Sequence, residues 1–334
     1  MAVGQTVTGS PRQRSARQVE RGRERVTYWA YRTAEKALST LPRGLVVPGA
    51  VAVSNGAYDL AGAKGALVRA NMAQALGLPV DDPRVSRAAR HAFQNFGRYL
   101  IEVMRLPVLD PADARQRVTF VGWEDLAAAQ GTEGKGVLIC AVHVGAMDLL
   151  APAVMVEGEK LSVVGDDTTY GRLYDHLAAI RGVHGVDVIG WRNLRRLYKV
   201  LQDGGNLVLL CDGPYRPGDV PVEFLGAPTT LPAGPAVLSA RTGAAILPIG
   251  ARRTPDDRLE AWGLPVIRAT STEPAEIYRA TQALADALGS VIAADPGQWY
   301  MFRPVWPQTD AERAAAAAAL ARARAGEDWS APAG

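Results

Sequence analysis

His143 and Asp148 lie five residues apart in GVLICAVHVGAMDLLAPAVM, the segment spanning 136–155. A neutral imidazole near pH 7 can take a proton from a hydroxyl or an amine as that group attacks an activated carbonyl. A carboxylate on the second ring nitrogen fixes the tautomer and stabilises the imidazolium that forms. The hydrolase triads divide the work in this way, except that here the substrate would supply the nucleophile. The spacing also suits a histidine that caps a helix or faces solvent. Scarcity tips the balance toward chemistry, since the 334 residues hold only four histidines.

The surrounding pattern says what must hold the pair. Val137–Val142 is a short apolar run rich in β-branched residues and bounded by glycine, which reads as a buried strand. Met147, Leu150, Ala151 and Val154 then recur at helical spacing. His143 is therefore expected on a strand-to-helix connection at the carboxyl end of a buried strand, where open α/β sheets place ligands. Asp148 falls in the first helical turn, within reach of the imidazole.

Strand-like and helix-like segments alternate from there. Strands are expected at 118–123, 161–164, 186–189, 207–210, 220–225, 244–249 and 259–266. Helices are expected at 169–181, 193–202, 233–242 and 273–294, with an alanine-rich surface helix at 310–325 and a frayed WSAPAG tail. Alternation with helices of this length implies a mostly parallel central sheet joined by crossovers, an α/β fold. A glycine-rich turn at 131–136 opens the histidine segment. Upstream, helices are expected over 45–63 and 64–76. The clearest amphipathic helix is Val85–Leu106, with Ala89, Phe93, Phe96, Leu100, Val103 and Met104 on one face. Residues before about 115 form an N-terminal helical cap. The domain plan is a basic disordered stretch at 1–22, one domain at 23–307 (helical to 115, α/β from 116) and a surface tail at 308–334.

Composition narrows the function class. The chain is 48% hydrophobic and 21% charged, as globular proteins are. A net charge of +3 gives no case for nucleic acid. Cys140 and Cys211 both sit in apolar runs and read as buried thiols rather than a disulfide or a metal site. No uninterrupted apolar window is long enough to span a membrane, and the polar, basic start argues against a secretory signal. Arg12, Arg14, Arg17, Arg21, Arg23 and Arg25 lead into a helix expected to begin near Glu24, carrying Tyr28, Trp29, Tyr31 and Leu38. Such a segment either attaches to an anionic membrane surface or frays into solvent ahead of a core helix.

AVHVGAMD, CDGPYRPGDVPVEFLGAPTTLPAGPAVLSARTGAAILPI and PGQWYMFRPVWP resemble the bacterial lysophospholipid-acyltransferase-like enzymes. The branch they resemble comprises the phosphatidylinositol mannoside acyltransferases and the lipid A late acyltransferases. RANMAQALG and HAFQNFGRYLIEVMRL resemble its leading helices, so the likeness covers about residues 25–307. It implies acyl transfer from a CoA or acyl-carrier-protein thioester to an acceptor, with His143 as base and Asp148 as its orienting partner. A hydrophobic acyl channel would open at the motif. No metal or prosthetic group is implied, because the thioester is already activated. The protein would sit in the cytoplasm, peripherally on the inner face of the membrane.

Asp166, Tyr174 and Arg181 fall where that branch has acidic, aromatic and arginine residues near the acceptor, and a guanidinium suits a phosphate. Aligning Phe224-Leu225-Gly226 with an aromatic-aromatic-glycine turn leaves Pro221 where an acidic residue is usual. Asp212, Asp219 and Glu223 are the nearby alternatives. Between the histidine and the aspartate this chain has Val144, Gly145, Ala146 and Met147 where the branch carries tryptophans and an asparagine. Relatives that join a polyketide or fatty acyl chain from a carrier protein to an amine, forming an amide, are the alternative this departure suggests. A lipid-binding protein that kept the fold without turnover is a third reading. The oxyanion of the reaction needs donors: backbone N–H groups at Val144–Ala146, including Val144 and Gly145, or alternatively Gly234 or Arg216.

Overall fold

The structure, a computed structural model, describes residues 11–122, 135–156, 158–166 and 171–329, with side chains from residue 22 onward. Trp123, most of the glycine-rich turn, Thr169, the first ten residues and the end of the tail lie outside the described residues.

The helical N-terminal part comprises α1 (Pro11–Thr40), α2 (Arg43–Asp59), α3 (Ala63–Leu76), α4 (Pro83–Arg105) and the short α5 (Pro111–Arg117). Helix α1 begins at Pro11 rather than near Glu24. The Arg, Gln, Ala and Glu residues that make 11–22 hydrophilic are also good helix formers, and proline suits a first helical position. Asp82 caps α4 by accepting from the Arg84 N–H, with Pro83 next in line. Of the expected apolar stripe on α4, Ala89, Phe93 and Val103 are buried, while Phe96, Leu100 and Met104 are half-buried.

The α/β part follows in the order β1 (Val118–Val121), β2 (Val137–Ala141), α6 (Met147–Val156), β3 (Leu161–Gly165), α7 (Gly171–Gly182), β4 (Asp187–Gly190), α8 (Leu194–Gln202) and β5 (Asn206–Leu210). It continues with β6 (Val220–Phe224), β7 (Ala227–Leu231), α9 (Gly234–Thr242), β8 (Ala245–Arg253), β9 (Leu259–Gly263), α10 (Pro274–Ala294) and α11 (Asp310–Arg324). Seven strands form one sheet in the order β1-β9-β8-β2-β5-β3-β4. All neighbours in it are parallel except β8 and β9.

Strand β2 is buried along its whole length, paired with β8 on one side and β5 on the other. A central parallel strand covered on both faces needs such a continuous apolar run. Its side chains divide by the two-residue strand period: Leu138 and Cys140 join the large core, while Val137 and Ile139 join a smaller cluster with Val154, Leu161 and Leu247. Cys140 and Cys211 are free and buried.

The β6–β7 hairpin stands apart from the main sheet and was not expected in full, since only its first strand was read from the sequence and Pro228 interrupts the short second one. Its loop is Leu225-Gly226, both at positive φ (51° and 79°), which matches the right-handed twist of the flanking strands.

Candidate active site

The parallel pairing of β2 with β5 puts His143 beside Asp212. The ladder runs to Ala141 opposite Leu210, and the Cys211 N–H carries it on by donating to the Ala141 carbonyl at 2.8 Å. One residue further on, the His143 N–H donates to Asp212 Oδ2 at 2.8 Å, and His143 Nδ1 lies 2.7 Å from Oδ1. The Trp299 indole donates to Oδ2 at 2.8 Å.

Burial acts to raise the Asp212 pKa, but the His143 charge, the hydrogen bonds from its ring and backbone, and the Trp299 indole outweigh it and hold the carboxyl below its usual range. An ionised carboxylate only accepts, so Nδ1 carries the proton and Nε2 keeps a lone pair. Burial acts against charge on His143, yet the charge and hydrogen bond of Asp212 prevail and raise the imidazole pKa.

Asp148 does not make the contact its spacing suggests. From the first turn of α6 its Oδ1 accepts from Arg181 Nε at 2.6 Å. Its Oδ2 accepts from Arg181 Nη2 at 2.9 Å and from the Tyr99 hydroxyl at 2.7 Å. A carboxylate in this interior is best held by a guanidinium fork that meets both oxygens, and α7 supplies one. Burial works against the charge on Asp148, and Arg181 with Tyr99 outweighs it, so its pKa is lowered. The imidazole feels this carboxylate only through space.

Both groups open on one cavity of about 430 Å³, a usual size for a small-ligand pocket. His143, Asp148, Arg181, Tyr99 and Tyr300 supply polar atoms. Ile139, Leu150, Val154, Leu161, Val208 and Leu247 are among the apolar side chains that make up most of the wall. The cavity thus lies on the sheet face that carries the smaller apolar cluster.

Asp166 and Tyr174 line this space together with Arg181. Arg216, Glu223, Val144, Gly145 and Gly234 do not. Arg216 is exposed, with its backbone bonded to the Thr230 hydroxyl, and Glu223 pairs with Arg324 at 2.7 Å on the outside of β6. Gly234 is exposed at the start of α9. The Val144 N–H is committed to the Val142 carbonyl at 2.8 Å, and Val144 forms a bridge with Trp299. Gly145 takes φ of 59°, the left-handed turn that carries the chain from strand to helix. Trp299, Tyr99 and Tyr300 were missed by sequence reasoning because they come from distant segments. Asp212 stood among three acidic alternatives, and the sign that it faces His143 was an apolar run, NLVLLC, ending in it as LICAV ends in His143. Among the described residues no group of three or more His, Cys, Asp or Glu side chains is placed to hold a metal.

Comparison with known proteins gives a consistent result. The family profile described as Bacterial lipid A biosynthesis acyltransferase matches residues 16–308. A protein named phosphatidylinositol mannoside acyltransferase from Mycobacterium tuberculosis (strain CDC 1551 / Oshkosh) is 30% identical over 290 residues, covering 84% of this chain and 88% of the relative. A protein of the same name from Mycolicibacterium smegmatis is 27% identical over 244 residues, covering 72% of this chain and 78% of the relative.

Proposed function

The chain belongs to the bacterial lipid A biosynthesis acyltransferase family, and on that premise we propose that it moves a fatty acyl chain from a thioester to a hydroxyl of a membrane glycolipid of the phosphatidylinositol mannoside kind. The donor is acyl-CoA or an acyl-carrier protein. The observation that carries the reading is the His143–Asp212 pair, with its ring on the wall of an apolar cavity.

With Nδ1–H donating to Asp212, Nε2 takes the proton of the acceptor hydroxyl as the oxygen attacks the thioester carbonyl. The carbon–oxygen bond forms and the carbonyl pair moves onto oxygen. Collapse of the intermediate breaks the carbon–sulfur bond, and the departing thiolate recovers the proton from the imidazolium. The apolar wall takes the acyl chain, while Asp166 and Tyr174 face the acceptor. The thioester is already activated, so the reaction calls for no prosthetic group.

Among the described residues no helix is long and apolar enough to cross a membrane. Val26 and Trp29 on α1, with Leu45 and Val53 on α2, stand exposed. These side chains support peripheral attachment to the inner face of the membrane.

Purified protein given a radiolabelled acyl-CoA and a lipid extract should yield an acylated, alkali-labile glycolipid. His143→Ala should lower turnover about 10²–10⁴-fold, the usual contribution of a general base. Alkali-stable amide products from amine acceptors would replace the ester reading with the amide one. No product from any donor would leave only a lipid-binding role.

A further inference from the structure

Attack on a thioester carbonyl leaves negative charge on one oxygen, and a donor aimed at it is worth more than almost any other single contribution to such a reaction. The donors expected from the sequence do not meet that need. Val144, Gly145, Gly234 and Arg216 all lie off the cavity wall, and the Val144 N–H is already bonded. Arg181 and Tyr99 do line the cavity, but the Arg181 fork and the Tyr99 hydroxyl are directed to Asp148.

Tyr300 differs from both. Its backbone N–H donates to the His143 carbonyl at 3.0 Å, so the two residues are fixed to one another. Its ring meets the imidazole edge-on with centroids 6.1 Å apart, and stacks on Tyr99 at 5.1 Å. The side chain lines the cavity. Its hydroxyl makes no hydrogen bond to any described residue. Unlike the Tyr31 hydroxyl it is not sealed away from open space, so it reaches the cavity itself. Burial, then the charges of Tyr99, Asp148 and Asp212, hold the phenol pKa well above its ordinary value, so it stays a donor across the working range.

We propose that the Tyr300 hydroxyl is the catalytic donor to the oxyanion of the tetrahedral intermediate, an assignment that rests on the acyl-transfer reading above. As the acceptor oxygen bonds to carbon and Nε2 takes its proton, the carbonyl pair moves to oxygen and the Tyr300 O–H donates to it without giving up its proton. When the carbon–sulfur bond breaks, that pair returns and the hydrogen bond weakens.

The test is Tyr300→Phe in the full chain, assayed with acyl-CoA and lipid acceptor beside the parent and His143→Ala. The expected result is a kcat lower by about 10²–10³-fold. The KM for each substrate should stay within about twofold, as befits an interaction made only in the transition state. Affinity for a donor thioether, which lacks the carbonyl oxygen, should be unchanged, as should the acidic limb of the pH profile. A kcat within about threefold of the parent overturns the assignment, and so does a loss carried by KM or by thioether binding. Should the Phe variant fail to fold, 3,5-difluorotyrosine placed at 300 keeps the ring and acidifies the phenol. A changed kcat then supports the assignment and an unchanged one overturns it. A parent without turnover overturns the acyl-transfer reading and this assignment with it, whereas an active parent with an undiminished Phe variant overturns this assignment alone.

Discussion

His143 and Asp212 occupy equivalent places on neighbouring parallel strands, each two residues beyond the last ladder pair, Ala141 opposite Leu210. The sheet register itself therefore sets their separation. Side-chain rotation is restricted further because one carboxylate oxygen takes the His143 backbone N–H and the Trp299 indole while the other takes the ring.

Asp212 and Asp148 should separate cleanly by mutation. Asp212→Asn leaves its amide oxygen to the His143 N–H and the Trp299 indole and turns its NH2, which only donates, toward Nδ1. The imidazole then carries its proton on Nε2, the wrong tautomer for a base, and turnover should fall about 10²–10⁴-fold with little change in substrate binding. Steady-state kinetics on the folded variant decides the matter. Activity near that of the parent would show that the imidazole does not depend on this carboxylate.

The pH dependence follows from the same pair. The folded-state pKa of His143 is raised above 6.5, since Asp212 outweighs the opposing effect of burial. In the proposed mechanism His143 must be neutral to take a proton, so kcat/KM should fall as pH drops through a value above 6.5. In Asp212→Asn burial and the Arg303 charge oppose only the through-space effect of Asp148, and that limb should move to lower pH. The sign for stability is the reverse: the pair's contribution is fully present below the unfolded pKa and is lost as pH rises through the folded one. Rate profiles and urea titrations across this range measure the two effects separately.

Asp148 and Arg181 are both largely buried, with side chains 13% and 19% exposed. Removing one partner strands the other, so Asp148→Leu or Arg181→Met should each cost about 3–5 kcal/mol of stability. The double change Asp148→Leu with Arg181→Met should cost far less than the sum of the two. Chemical denaturation of the four proteins forms the cycle, and additive losses would mean that the fork does not act as a pair.

Ala151 on α6 faces the apolar part of the cavity. Ala151→Phe should fill it, with kcat/KM falling for long acyl donors and holding for short ones. Product profiles from a series of chain lengths give the result, and a uniform loss across the series would place the chain elsewhere.

Trp29 is 61% exposed on α1 and Val26 is 71% exposed. Changing both to serine should weaken binding to anionic phospholipid vesicles about tenfold or more, since each apolar side chain buried contributes on the order of 1–2 kcal/mol. Vesicle co-sedimentation measures this, and unchanged binding would assign attachment to another surface.

Much of the α/β part was legible because its central strands are continuous apolar runs and its helices are long. Hairpin strand β7 was not, since it is only five residues long and carries Pro228, which demotes a strand reading. Helix α5 is only seven residues and shows no period to read. Within the site, His143 could be placed from its own segment. Its partner could not, because a five-residue spacing describes one stretch of chain, whereas the imidazole bonds across a ladder to a residue 69 positions away. Arg181, 33 positions from Asp148, wins the nearer carboxylate by offering both oxygens a donor.

Tyr99, Asp148 and Arg181 belong to α4, α6 and α7, so one carboxylate clasps three helices beside the pocket. Parting those helices to admit a hydrocarbon sideways would break a largely buried charged pair. For the proposed acyl transfer, a long tail is better served by threading in from its tip, so that the reactive carbon arrives last.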